Sequence, residues 1–258
     1  TSVRVMNDRC FGVRTGSVAR AVASNGAREA FSEWRNSNDI LGSREFNQRE
    51  QVLRQGCAKV APELPHLTSR RLNMVVPAGD KWPSPTACAT MKVNPLCEVV
   101  GKIAINREVL AAVSNKNIFY MLGLFINGIK AAKVSNAMVV ALDEQTGQWL
   151  RDKQVPFYVK ELRSRTGSTD NHATSGLKFK VLVDFLTIGC SVLLSDVDVI
   201  WLQNPAPFLY RDSDVEGMSD GWDEPTAYGY DNHGALRVFA RNSGMFYVQA
   251  THEALNMM

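Results

Sequence analysis

Residues 191–202 read SVLLSDVDVIWL, an apolar run of strand length with Asp196 and Asp198 in its middle. Val192, Leu193 and Leu194 precede the pair with Ser195, Val199 to Leu202 follow it, and Asn204-Pro205 then marks a turn. On a strand, residues two apart project to one side, so this reading puts both carboxylates in one small volume while Val197 and Val199 face away. An unpaired buried carboxylate costs several kcal/mol and a second like charge adds repulsion, so a cation is expected beside them. Mg²⁺ or Mn²⁺ suits that need, because hard cations accept carboxylate oxygens and keep positions for water and phosphate. The competing reading places the acids past the sheet edge, solvated or paired with Arg. For a bare DxD that reading usually wins; the apolar flanks on both sides oppose it here.

Working outward, REVLAAVS (107–114) reads as a strand, and SNKN (114–117) offers caps for a helix through residue 133. Ile118, Met121, Leu122, Phe125, Ile126 and Ile129 recur in it at helical spacing. AMVVALD (137–143) and VPFYVKEL (155–162) are further strands, with EQTGQWLRDK (144–153) a short helix between them. SGLKFKVLVDFLTIG (175–189) reads as a helix with Leu177, Val181, Leu182, Phe185 and Ile188 on one face, leading into the quoted strand. Such alternation predicts an α/β fold with a mostly parallel sheet flanked by helices, whose ligands bind beyond the carboxyl ends of the strands. Ser114-Asn115, Asp143-Glu144 and the Asp196/Asp198 pair fall at those ends.

Residues 1–97 have another texture, rich in Arg, Asn and Gln, with a helical-looking stretch at 44–60 and a Pro-rich segment, PAGDKWPSPTAC, at 77–88. We read them as a stem or cap, and residues 98–258 as the ligand-binding domain. The chain has 258 residues, 45% of them hydrophobic, enough for a sizeable core. Its 29 Lys and Arg nearly balance 26 Asp and Glu, so no strong field points to nucleic acid as a partner. Apolar stretches are broken by Lys, Asp or Gly well short of the roughly 20 residues of a membrane helix. The opening TSVRVMNDRC does not begin with Met and lacks a signal-peptide core, so an upstream segment is expected. None of the five cysteines forms a CxxC pair, which disfavours zinc. Cys190 is expected to be a buried free thiol, leaving four in the first hundred residues for up to two bridges in an oxidising compartment.

The hydrophobic–DxD–hydrophobic pattern resembles the metal-dependent nucleotide-sugar glycosyltransferases of GT-A type. SGLKFKVLVDFLTIG, SVLLSDVDVIWLQNP, FLYRDSDVEGMSDGWDEPTAYGY (208–230) and RNSGMFYVQAT (241–251) resemble, more narrowly, the plant and algal extensin arabinosyltransferases, and VVALDEQT (139–146) fits the same family. The resemblance implies a GT-A-like Rossmann-type sheet with an N-terminal helical or irregular extension. It implies retaining transfer of L-arabinofuranose from a UDP-sugar to hydroxyproline-linked arabinosides of cell-wall glycoproteins in the Golgi lumen, with any membrane anchor outside this chain.

On that resemblance Asp196 and Asp198 hold the metal, the first through water or ribose and the second directly, so Asp198 counts as catalytic. Ser114, Asn115 and Asn117 lie where the family places its uridine, and serve equally well as helix caps. Asp143 holds uracil or ribose, or caps the helix after it. Lys178 meets the diphosphate as a point charge, against a solvated helix lysine. Asp220 in MSDG and Asn242 in RNSG grip sugar hydroxyls, although turn chemistry alone explains both. GT-A enzymes commonly add a C-terminal His to the metal; His233 and His252 sit in no matching motif, and the chain is expected to lack C-terminal elements of the family. Two alternatives stand. A haloacid-dehalogenase-like phosphotransferase also uses hydrophobic–DxDx[TV], but Ile200 follows Val199 here and three strands precede the motif. A non-catalytic carbohydrate- or nucleotide-binding module would keep the fold without the chemistry.

Overall fold

A computed structural model describes residues 3–5, 72–90, 94–162, 171–219 and 241–258. Asp220, His233 and the stretch 44–60 lie outside them. The strands are β1 (Val3–Val5), β2 (Glu108–Ser114), β3 (Ala137–Ala141), β4 (Phe157–Val159), β5 (Ser191–Ser195), β6 (Val215–Ser219) and β7 (Arg241–Val248). The α-helices are α1 (Pro85–Thr90), α2 (Asn94–Ile103), α3 (Phe119–Ala131), α4 (Glu144–Asp152), α5 (Asn171–Thr187) and α6 (His252–Met257). One sheet holds all seven strands in the order β1-β6-β7-β5-β2-β3-β4. Only β7 runs against its neighbours; the β5–β2–β3–β4 block is parallel throughout. This is the expected mostly parallel α/β sheet.

The period of two along the central strand builds a core on each face. Val109, Ala111 and Val113 of β2 join Leu96 and Val100 of α2 and Leu177, Val181, Leu182 and Phe185 of α5. Leu110 and Ala112 face the other way, onto Leu122, Phe125, Ile126 and Ile129 of α3 and Leu150 of α4. A strand covered on both sides reads as a continuous apolar run rather than an alternation, as EVLAAVS does. Burying each large aliphatic or aromatic side chain contributes about 1.5–3 kcal/mol, so these two layers hold the sheet flat against its helices.

One expectation fails in a way that matters. The strand read through residues 191–202 stops at Ser195. Its ladder ends there: β2 pairs Ala112 with Ser195, and β7 pairs Met245 with Ser195. β2 runs on to Ser114 and β7 begins at Arg241, but the chain leaves them after Asp196 N–H donates to Gly244 O, so Asp196 and Asp198 sit past the strand rather than inside it.

At the opposite, amino end of the parallel strands, residues 72–90 underlie the sheet. Val75 N–H donates to Ala250 O at 2.8 Å, and the Arg107 guanidinium donates to the carbonyls of Val76, Pro77 and Asp80 at 2.9–3.0 Å. Gly189 ends α5 at φ +80°, where a Cβ would lie 2.4 Å from Val76 Cγ2, so no other residue fits. A disulfide, Cys88–Cys97, joins α1 to α2, and Cys190 is free and buried. The helix α2 runs across residue 97. Among the described residues no helix is long and apolar enough to cross a membrane.

A polar lattice closes this end. Arg211 grips Glu108 with two bonds, Nε to Oε1 at 2.7 Å and an Nη to Oε2 at 2.9 Å, and the Tyr247 hydroxyl donates to Oε1 at 2.7 Å. The fully buried Glu216 carboxylate accepts from the backbone N–H of Tyr210 and Arg211, and Asp214, equally buried, accepts from Thr251 Oγ1 at 2.8 Å.

Candidate functional site

Where β5 runs out, Asp196 N–H donates to Gly244 O at 2.6 Å and Val199 N–H donates back to Asp196 O at 3.2 Å, closing a four-residue turn. Val197 and Val199 are buried in the α3-side core. Both valines are anchored in the core, while Asp198 between them and Asp196 before them stay only partly buried, so the apolar pattern still separates valines from acids although no strand carries them. About a third of the Asp196 side chain meets solvent. Asp198 is half-buried, and its Oδ1 is enclosed with no hydrogen-bond partner. Burial above all, and then the negative charge of Asp196, hold the Asp198 carboxyl above its ordinary range, against the pull of a backbone hydrogen bond and of Lys178.

Lys178, from the early turns of α5, is 5% exposed, which removes the solvated-lysine alternative. Its ammonium is ion-paired with Asp196 Oδ1 and donates to Ser243 O at 3.2 Å. Across the turn, Asn242 Oδ1 accepts from Gly244 N–H at 2.7 Å, so its carboxamide oxygen folds back on its own strand. A Cβ on Gly244 would stand 3.0 Å from that oxygen and 3.3 Å from Asp196 Oδ2. Because β7 is antiparallel, its beginning meets the end of β5, and that is how RNSG reaches the acids.

The second group stands on the neighbouring strands at the same sheet end. Ser114 pairs with Ala141 of β3, and lies two residues beyond the Ala112–Ser195 pair. It is fully buried and its Oγ is partnerless. Asn115 caps a 3₁₀ turn, Lys116–Ile118, through Oδ1 accepting Asn117 N–H at 3.0 Å, while Asn117 itself is exposed. Asp143 caps α4 through Thr146, N–H at 2.7 Å and Oγ1 at 2.9 Å, and its other oxygen accepts Lys116 N–H at 2.9 Å. Capping explains Asp143 and Asn115 fully; beyond capping, Asp143 clasps the turn after β2 to the turn after β3. The structure thus gathers Asp196, Asp198, Lys178 and Asn242, sets Ser114, Asn115 and Asp143 along the same edge, leaves Asn117 at the rim, and does not describe Asp220. Gly244 and the Ser243 carbonyl escaped sequence reading; the RNSG turn was its one visible trace.

For a divalent cation the donor set is two carboxylates, one with an unused enclosed oxygen. No cluster of three or more His, Cys, Asp or Glu occurs among the described residues. Two carboxylates suit Mg²⁺ or Mn²⁺, which take one or two and leave positions for water and substrate phosphate.

Comparison with known proteins finds a family profile and several relatives. A family profile described as nucleotide-diphospho-sugar transferase matches residues 132–258, which contain the acidic turn, Lys178 and Asn242. The chain is 37% identical to Arabinosyltransferase RRA2 of Arabidopsis thaliana over 230 residues, covering 82% of this chain and 51% of that protein. It is 35% identical to Arabinosyltransferase RRA1 over 192 residues, 68% of this chain and 48% of the relative. Beta-arabinofuranosyltransferase RAY1 is 30% identical over 112 residues, 40% of this chain and 21% of its own length. The chain spans about half the length of RRA2 and RRA1.

Proposed function

The chain belongs to the nucleotide-diphospho-sugar transferase family, and from that premise we propose that it is a metal-dependent glycosyltransferase. In this reading it moves L-arabinofuranose from a UDP-sugar to hydroxyproline-linked arabinosides of cell-wall glycoproteins, with retention of configuration, in the Golgi lumen. The observation that carries the metal and diphosphate half is the enclosed, partnerless Asp198 Oδ1 beside Asp196 at the carboxyl end of β5. The pentose half is supported by the relatives, which are arabinosyltransferases by name.

Asp198 and Asp196 would hold Mn²⁺ or Mg²⁺, which when bound supplies Lewis-acid stabilisation of negative charge on the departing diphosphate. The remaining work belongs to the chain. Lys178 contributes a fixed positive charge where that diphosphate lies. Ser114 offers an unused hydroxyl to the nucleoside, and the Asp143 clasp holds the Lys116–Ile118 turn as the wall of its pocket. Asn242, on the far side of Gly244 from the metal edge, meets the donor sugar. Asp220 receives the second sugar contact on resemblance alone.

Calorimetry with UDP and Mn²⁺, followed by donor hydrolysis and transfer to an arabinosylated peptide, tests the whole reading. Micromolar binding that requires both ligands, with pentose transfer, is the expected result. Binding without sugar release would identify a non-catalytic module of the same fold, and absence of binding would remove the donor assignment.

A further inference from the structure

Lys178 and Asp196 form an ion pair inside the very group of acids that a divalent cation would need. We propose that Lys178 is an internal counter-ion coupling the site's two ligands: it offsets one of the two carboxylate charges before ligands bind, opposes a divalent cation arriving alone, and turns to the anionic diphosphate when the two arrive together. This rests on the donor chemistry proposed above and deepens it.

The geometry makes the exchange necessary. The ammonium is 5% exposed, with Asp196 Oδ1 and the Ser243 carbonyl as its acceptors. A cation that took both carboxylates would claim its anion and leave a buried positive charge facing another, with one neutral carbonyl for support. Stranding one member of a buried pair is far more costly than never having had the pair. The formal charges of the acids and the lysine sum to one negative; a divalent cation alone reverses that to one positive, and only a second anion restores the balance. A diphosphate is such an anion and reaches the metal and the ammonium at once. The residue type also fits, because a lysine presents three rotatable donors on a flexible stem and can change partners, whereas the planar fork of an arginine locks onto one carboxylate. Coupling of this kind is reciprocal: whatever factor UDP adds to Mn²⁺ affinity, Mn²⁺ adds to UDP affinity.

Isothermal titration of the full chain with Mn²⁺ alone, with UDP alone, and with each in the presence of the other reads this directly. In the unaltered protein each ligand is expected to tighten the other at least about 30-fold, within the usual range of coupling energies. In Lys178→Met, Mn²⁺ alone should bind about 10-fold more tightly, while the mutual tightening shrinks at least about 5-fold, leaving the part due to direct metal–phosphate contact. Lys178→Arg keeps the charge and should resist Mn²⁺ as the lysine does. If Mn²⁺ alone binds Lys178→Met no better than the unaltered chain, or the mutual tightening persists, the proposal is wrong while the donor assignment stands. If the unaltered chain binds neither ligand, the donor assignment fails first. Lys178→Gln serves where Lys178→Met does not fold by circular dichroism; failure of both to fold would make Lys178 a structural pair and also overturn the proposal.

Discussion

The two ends of the sheet carry similar chemistry and treat it in opposite ways. At the amino end, Glu108, Asp214 and Glu216 are buried or nearly so, and each accepts hydrogen bonds at ordinary or short range. At the carboxyl end, Ser114 Oγ and Asp198 Oδ1 are as thoroughly enclosed and accept none. Buried polar atoms are almost always paired, since each unmade bond costs about 1–3 kcal/mol. Glu253 Oε2 at the amino end and Trp201 Nε1 are enclosed without a partner too, so an unmet bond does not by itself mark a site; at the carboxyl end it coincides with a second acid and a buried lysine. Neither charge nor unused bonding capacity alone marks the site; their coincidence at Asp198 does.

The largest expected effect lies at the satisfied end. Glu108→Ala leaves Arg211 and Tyr247 without their acceptor, and breaking a buried pair by removing one partner costs about 3–5 kcal/mol. A third of the Arg211 side chain still meets solvent, so the lower figure, about 3 kcal/mol in urea unfolding, is expected, with Mn²⁺ and UDP affinities unchanged. An unaltered midpoint would show that the lattice is decorative and break the comparison. Close behind comes Asp198→Asn, where the sign on stability reverses. Turnover should drop about 100-fold or more, some 2.7 kcal/mol of transition-state stabilisation, while the chain becomes equally or slightly more stable because a half-buried carboxylate beside the Asp196 charge is gone. Loss of stability in this variant would place Asp198 with the structural acids.

Gly244→Ala sharpens the comparison with one methyl group. At 3.3 Å from Asp196 Oδ2 and 3.0 Å from Asn242 Oδ1, the new Cβ forces both to give by a few tenths of an ångström. Asp196, a third exposed and tethered through a flexible lysine, is the freer to move. Mn²⁺–UDP affinity is expected to fall about 10-fold, near 1.4 kcal/mol, with unfolding shifted by less than about 1 kcal/mol. Equal losses in both measurements would mean that the strand, not the carboxylate, absorbed the strain.

The sheet was readable because strands covered on both faces and helices with a single apolar stripe announce themselves by period, as Val109 to Val113 and Leu177 to Ile188 do. The acidic turn was readable only in part. Val197 and Val199 were read as facing away from the acids, and they do, but the reading assumed a strand where the backbone turns. That error comes from where the chain leaves the ladder, which happens while β2 and β7 still run alongside and is written in no local stretch of residues 191–202. Lys178 was legible as a lysine near the site; its partner was not, since the Asp196 pairing depends on how α5 lies over β5. Gly244 was invisible, because what makes it necessary is a close approach between residues 48 positions apart. Asp143 shows the converse: its capping role was plain from EQTGQWL, whereas its hold on Lys116 required the parallel register of β2 and β3.

The smallest effect concerns α5, the element that joins the two ends, with Lys178 at one and Gly189 closing the other. Midway, Asp184 is buried at 5% exposure, ion-paired with Lys160 just past β4, and faces the Tyr158 hydroxyl at 3.5 Å. Burial first and the Asp184 charge second push the Tyr158 phenol up to about 12 from 10.0. Its folded value lies above its unfolded one, so the neutral phenol's contribution to stability is complete below pH 10 and is lost as pH rises toward 12. Asp184→Asn should lower the tyrosine titration midpoint only part of the way toward 10.0, because burial, the larger cause, survives the substitution. Spectrophotometric titration reads that midpoint, and Mn²⁺ titration of the same variant reads whether the flank matters to the site. If loosening α5 at Asp184 changes metal affinity as much as Gly244→Ala does, the ion pair at Lys178 is being positioned from the sheet's edge, and the two ends communicate through this helix.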